Sequence, residues 1–283
     1  MFVIIGIAVV LGAVVGGYLM EHGNLSVLIQ PAEIVIIFGA AIGSLIIAAP
    51  PKVLSMILKS LGKLFSSGGM GKSGYLELMS LLFNIFSKIR KEGLISIETD
   101  IENPKKSPLF SKYKAVMSNH HAVGFLCDNL KVIISTNVPP HELDALMELE
   151  TETHHHEAMT PAHSIARVAD ALPGLGIVAA VLGVVLTMGK ISEPPEVLGE
   201  SIGAALVGTF LGVLMCYGFV GPIATNIESK VKEDGISFQV IRVALVSFVG
   251  GAAPQMAVEF GRRAIPTSDR PSFNELEEAV RKK

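Results

Sequence analysis

LPGLGIVAAVLGVVLTM, residues Leu172 to Met188, and IGAALVGTFLGVLMCYGFVGPI, residues Ile202 to Ile223, decide the fold of this chain of 283 residues. Neither stretch contains Asp, Glu, Lys, Arg or His. Each approaches the roughly 20 apolar residues that a helix needs to cross the hydrocarbon core of a bilayer. Two more blocks of the same kind, Phe2 to Met20 and Ile34 to Ala49, lie near the N-terminus and also lack ionisable side chains. The first has no basic segment ahead of it, so it reads as a retained span rather than a secretory signal.

Composition agrees with four spans. Half of the residues are hydrophobic and 17% are charged, against about a quarter charged in a soluble domain. The net charge of −3 gives no footprint for nucleic acid. Cys127 and Cys216 read as small apolar fillers, since two such placements make no disulfide framework.

Basic residues orient the spans. The loop from Glu21 to Glu33 has no Lys or Arg, and the loop from Gly189 to Glu200 has only Lys190. The remaining basic residues lie between Pro51 and Arg167 or after Pro222. Both termini and the long middle region are therefore expected in the cytoplasm. The expected organisation is an all-α integral membrane protein with a large helical cytoplasmic domain. Residues 1–50 carry spans one and two, 51–170 a cytoplasmic helical region, 171–225 spans three and four, and 226–283 cytoplasmic helices and a tail.

Within the middle region, Lys52, Ser55, Lys59 and Lys63 recur opposite Val53, Ile57, Leu61 and Leu64, predicting a basic amphipathic helix along the membrane surface. A Gly/Ser break over 66–74 precedes an apolar helix from Tyr75 to Lys91, ended by Gly93. Ser96 is expected to cap a short helix that Pro104 ends. Helices are expected over 112–134 and 139–156, with a restart at Thr160 and Pro161 running to Pro173. After the fourth span, helix continues through Val231 to Gly235. The apolar stretch 236–260 holds Arg242, Gly250, Gly251 and Pro254, and it reads as cytoplasmic packing rather than a fifth span. From Ser268 on, a polar tail or short amphipathic helix is expected.

Two motifs look like chemistry and fail on spacing. Gly68 to Ser73 suggests a phosphate loop, but Ser66 stands where the first glycine is needed and no strand precedes it. His154, His155 and His156 suggest a metal, but consecutive helical side chains diverge by about 100° and cannot converge on one ion. With His120, His121 and His163 they read as a solvated helix face. No nucleophile arrangement is present in the pattern, so no enzyme is expected. Gly12 with Gly16, Gly39 with Gly43, and Gly208 with Gly212 place small residues four apart, which allows close helix approach within or between copies.

A chain that moves ions through its own helices normally carries a titratable group at membrane depth. The polar side chains of the apolar blocks are hydroxyls, among them Thr209, Tyr217, Thr187 and Ser44. A membrane threonine commonly bonds back to its own helix, yet Thr209 can also donate to and accept from a water or hydrated ion. Pro173 and Pro222 free backbone carbonyls and permit bending at the cytoplasmic ends of spans three and four. Any titrating group must then come from a partner.

RVADALPGLGIVAAVLGVV, from Arg167, closely resembles the third-span signature of the MotA flagellar stator family. SIGAALVGTFLGVL, from Ser201, with Tyr217-Gly and Gly221-Pro222, resembles its fourth. Span order, cytoplasmic loop and tail extend the resemblance over nearly the whole chain. The resemblance implies a ring-forming homo-oligomer, a pentamer, around two copies of a single-span MotB-type partner that supplies a membrane aspartate. It implies H⁺ as the transported ion, no cofactor, and a cytoplasmic loop that pushes the rotor protein FliG from within a lipid-embedded complex of the bacterial inner membrane. Residue by residue, Arg90 and Glu98 match rotor-contact positions, Pro173 and Pro222 the coupling prolines, and Thr209 and Ala180 the lining of the ion path, with Tyr217 beside them. Arg90 and Glu98 also suit the dipoles of their helix ends. Alanine rather than threonine at 180 favours protons over Na⁺. The alternatives are an ExbB/TolQ-type channel subunit that energises outer-membrane processes, a self-contained transporter, and a scaffold with no role in ion movement.

Overall fold

The computed structural model describes residues 2–62, 64 and 69–281. Among these residues every regular element is a helix, without strands. Four helices are long and apolar enough to cross a membrane. They are α1 (Phe2–Met20), α3 (Pro31–Ala48) preceded by the short α2 (Leu25–Leu28), α9 (Pro140–Met188) and α10 (Pro195–Leu214). A π-helical turn, Met215–Val220, joins α10 to α11 (Gly221–Val249). The chain divides into two compact units, one drawn from Met1–Ser67 and Ala158–Ser229, the other from Gly68–Glu157 and Lys230–Lys283.

In the first unit, α4 (Pro51–Gly62) is the expected amphipathic helix. Its Ile57, together with Leu64, is buried with Ala162, Ile165, Ala224 and Ile227. Lys63 of the basic face lies outside the described residues, as do Ser66 and Gly68 of the Gly/Ser break. A second cluster joins Ile37 and Ala41 of α3 to Ala169, Leu172 and Ala179 of α9 and to Cys216.

In the second unit, α5 (Gly71–Glu92) turns Leu78, Leu81, Leu82, Ile85, Phe86 and Ile89 inward. Their spacing of three and four is that of one helical face, and burying each such side chain contributes about 1.5–3 kcal/mol. Around it pack α6 (Glu98–Glu102), α7 (Lys114–Ser118), α8 (His120–Thr136), α12 (Pro254–Ala264) and α13 (Phe273–Arg281). Phe238, Val240, Ile241, Ala244 and Leu245 of α11 lie in the same core. The apolar stretch 236–260 is thus core of this unit. Within it, Arg242 pairs with Asp144 at 2.6 Å and Glu148 at 3.3 Å.

Several boundaries differ from expectation. Ser96 does not cap a helix: its hydroxyl donates to the Gly93 carbonyl at 2.6 Å inside a 3₁₀ turn, Leu94–Ile97. The helix expected over 112–134 is broken at Asn119, whose side chain accepts from the Ala122 amide and starts α8. The opposite error occurs at Pro161 and Pro173, which lie inside the continuous α9. A proline removes one backbone bond and bends a helix. Here buried residues flank both prolines, Met159, Ala162, Ile165, Ala169 and Leu172, and packing outweighs the lost bonds.

The two decoy motifs have structural explanations. Lys72 bonds to Glu275 at 2.8 Å, and Ser272 and Glu275 form a reciprocal capping box at the start of α13. Lys72 first, then the Ser272 amide, holds the Glu275 carboxyl down to about 2. The histidine face is not simply solvated. His154 is half-buried, with its ring 4.5 Å from that of Phe238 and 5.2 Å from that of His121. Burial first, then His121, pushes its pKa below the ordinary value.

Candidate functional site

Spans three and four meet along a glycine seam. A Cβ built on Gly176 would stand 2.6 Å from the Gly208 carbonyl oxygen and 3.3 Å from Thr209 Cα. On Gly212 it would stand 2.5 Å from the Leu172 carbonyl oxygen and 2.9 Å from Gly176 Cα. On Gly183 it would stand 2.7 Å from Ala205 Cβ. Contacts that rise along α9 as they fall along α10 describe an antiparallel pair packed backbone against backbone. Gly208 and Gly212 therefore serve contact within the chain, whereas Gly12, Gly16, Gly39 and Gly43 face nothing within 4 Å.

Ala180 and Thr209 lie at one level of this seam, where Ala179 Cβ is 3.1 Å from the position of a Gly208 Cβ. Ala180 is 8% exposed and Thr209 half-buried. The Thr187 hydroxyl donates to the Gly183 carbonyl at 2.9 Å, and that of Ser44 to the Ala41 carbonyl at 2.8 Å. Thr209 makes no such bond with any described residue. Of the three aliphatic hydroxyls singled out in the spans, Thr209 alone keeps its own available.

At the other end of the seam the backbone is irregular for a chemical reason. Pro222 lacks the amide hydrogen that would bond the Gly218 carbonyl. The preceding residues widen into the π turn, in which the Gly221 amide bonds the Cys216 carbonyl, five residues back. A Cβ on Gly221 would sit 2.8 Å from that oxygen, so the turn requires glycine there. Tyr217 projects from this turn, 74% exposed. Tyr217 and Pro222, with His163, Asp170 and Thr225, line an open cleft of about 700 Å³. Pro173 follows in α9, where it deprives the Ala169 carbonyl of its partner. The site residues thus form two groups, Ala180 with Thr209 on the seam, and Tyr217 with Pro222 on the cleft.

Sequence reading missed Glu33. The second span does not begin at Ile34: α3 starts at Pro31 and includes Glu33 in its first turn. Glu33 is only 7% exposed, and its buried Oε2 has no hydrogen-bond partner among the described residues. Pro31 was the available signal, because proline favours the first position of a helix.

Arg90 and Glu98 sit in the second unit, on either side of Gly93, whose φ of 87° closes α5. Both are exposed and neither joins an ion pair with a described residue. Lys88, two residues before Arg90, binds Asp100, two residues after Glu98, at 2.8 Å, and Asp100 accepts from the Ser107 hydroxyl at 2.6 Å. This bridge fixes α5 to α6, so the two exposed charges ride on a braced corner whose tip is Ile95, 75% exposed.

Comparison with known proteins places this arrangement. Residues 4–93 match the family model described as Motility protein A N-terminal, and residues 113–239 match that of the MotA/TolQ/ExbB proton channel family. The first match covers both N-terminal spans. The chain is 46% identical over 281 residues to Motility protein A of Escherichia coli (strain K12), covering 99% of this chain and 95% of that one. It is 37% identical to Chemotaxis protein LafT of Vibrio parahaemolyticus, over 96% of each chain. A chain of the C. jejuni MotAB structure superposes with a TM-score of 0.79 at 19% identity, over 96% of this chain and 98% of that one.

Proposed function

We propose that this chain, which belongs to the motility protein A family of flagellar stator subunits, joins a single-span MotB-type partner in a complex that converts proton-motive force into torque. It is a multi-pass protein of the inner membrane. In this reading both termini and the helical unit that carries Arg90 and Glu98 are cytoplasmic, following the excess of basic residues there. Several copies, a pentamer, surround the partner and contact lipid with their outer spans.

The observation that carries the reading is the Thr209 hydroxyl, which bonds to no described residue and lies on the glycine seam at the level of Ala180. Such a hydroxyl can solvate a proton-bearing group on a partner, and the partner's membrane aspartate supplies the titrating site there. The cargo is H⁺, with no cofactor, and the chain acts as a conducting and mechanical part rather than an enzyme. The Ala180 side chain offers no oxygen to coordinate Na⁺. Pro173 and Pro222, with the π turn and Tyr217 between α10 and Pro222, provide the soft points at which a change at the seam bends the helices. Arg90 and Glu98 transmit that movement to the rotor protein FliG by charge contact.

Reconstitution in liposomes tests this. The chain with its partner is expected to take up protons, and the chain alone is not. Thr209→Val should lower uptake about five-fold, the effect of losing one hydrogen bond of about 1 kcal/mol. Proton uptake by the chain alone would overturn the reading in favour of a self-contained transporter.

A further inference from the structure

Glu33 is buried against spans three and four in a way that serves no structural need visible in the fold. An acid in the first turn of a helix suits the dipole, but that role is met at the surface, where the carboxylate stays hydrated. Here Oε2 is buried and unpartnered, an arrangement that is unfavourable unless the group has another use. The neighbours make room for it. A Cβ on Gly208 would collide with Glu33 Oε2, and one on Gly183 would lie 3.4 Å from Oε1. Two glycines on two different helices therefore leave the space that the carboxylate occupies.

The placement is informative. Gly208 adjoins Thr209, and Gly183 lies three residues from Ala180, less than one helical turn or about 5 Å along the axis. The groups facing the carboxylate, Ala205 with Gly183 and Gly208, do not titrate. The nearest charged residues in sequence are Lys190 on the α9 side and Glu200 on the α10 side. α3 itself carries no other charged residue.

We propose that Glu33 is a proton-binding carboxylate of the stator complex, set at the outward end of the ion path and exchanging protons with the segment lined by Ala180 and Thr209. The step is simple protonation: the carboxylate takes a proton from the outer side, becomes a neutral acid, and releases it inward. The inference rests on the stator reading and adds to it a titratable site in this chain.

The full chain assembled with its partner in proteoliposomes provides the test, with an internal pH dye as readout. Glu33→Gln should lower the initial rate of proton uptake by roughly five-fold or more at unchanged assembly, while Glu33→Asp should keep about half of it or more. A Glu33→Gln complex that assembles normally and conducts within about two-fold of the parent overturns the proposal. If the parent complex itself takes up no protons, the stator reading fails instead. Dicyclohexylcarbodiimide, which reacts with protonated carboxyls in apolar surroundings, decides the matter without a variant. Peptide mapping of the parent complex should find Glu33 labelled several-fold more at about pH 5 than at about pH 9. Absence of labelling, or labelling independent of pH, overturns the proposal even if Glu33→Gln fails to assemble.

Discussion

The two units differ in where their large apolar side chains lie. In the second, they are inside: Leu78, Leu81, Leu82, Ile85 and Phe86 have no exposed surface. In the first, a few such as Ile37 and Leu172 are buried, and many along the spans are outside. No residue of α1 is buried, Ile47 is 90% exposed, and buried positions in the spans include Gly208, Gly212, Ala179 and Ala41. Water outside the second unit drives apolar volume inward. Lipid outside the spans removes that drive, so the helices meet through small residues and dispersion contacts. A surface this apolar would be an aggregation liability in water.

The sharpest way to break this contrast is a pair of truncations. Phe86 stacks on Phe248 with ring centroids 4.3 Å apart, and Phe86→Ala should cost about 3–5 kcal/mol. Ile47→Ala should change stability by less than about 0.5 kcal/mol. Denaturation of the detergent-solubilised chain, followed by helix signal, compares them. Equal losses would show that Ile47 is covered by protein.

An intermediate effect is expected where small residues carry the packing. At Gly212 an added methyl meets the Leu172 carbonyl and the Gly176 backbone, which cannot retreat as a side chain could. Gly212→Ala should cost about 1–3 kcal/mol, against almost nothing for Gly39→Ala, where the space is open. The same measurement checks both.

The smallest effect sharpens the contrast through pH. The His154 pKa lies below its ordinary value of 6.5, because burial and then His121 disfavour the cation. The unfolded chain therefore binds the extra proton first. The stability contributed by neutral His154 is full above about pH 6.5 and is lost as pH falls from there through the lowered folded value. Melting of the chain between about pH 7.5 and 5.5 should show this decline, and His154→Leu should flatten it. An unchanged slope in the variant would assign the decline to other groups.

How much of this was legible in the sequence follows from what each signal measures. Uninterrupted apolar blocks gave the four spans, because a charge at membrane depth is expensive enough to leave a visible gap in composition. Gly93 gave the corner between Arg90 and Glu98, because a φ of 87° selects glycine. Proline was overread at Pro161 and Pro173, since its local cost is fixed and the packing that offsets it is long-range. Glu33 was missed by ending a span at the first charge, because the room for its carboxylate comes from Gly183 and Gly208, far along the chain and invisible to a local reading. Ser96 and His154 failed in the same manner, one taken by a 3₁₀ turn and the other by the ring of Phe238.

The π turn before Pro222 has a consequence for phase. A turn that bonds five residues back holds one residue more than the regular spiral, and one residue is about 100° of rotation. That extra step sets the azimuth of the helix beyond it, where Ala224 and Ile227 point into the cluster with Ile57, Ala162 and Ile165. Removing any single residue between Met215 and Val220 would leave composition and hydropathy almost untouched, yet would swing both side chains out of that cluster. In this stretch the number of residues is as strict a requirement as their identity.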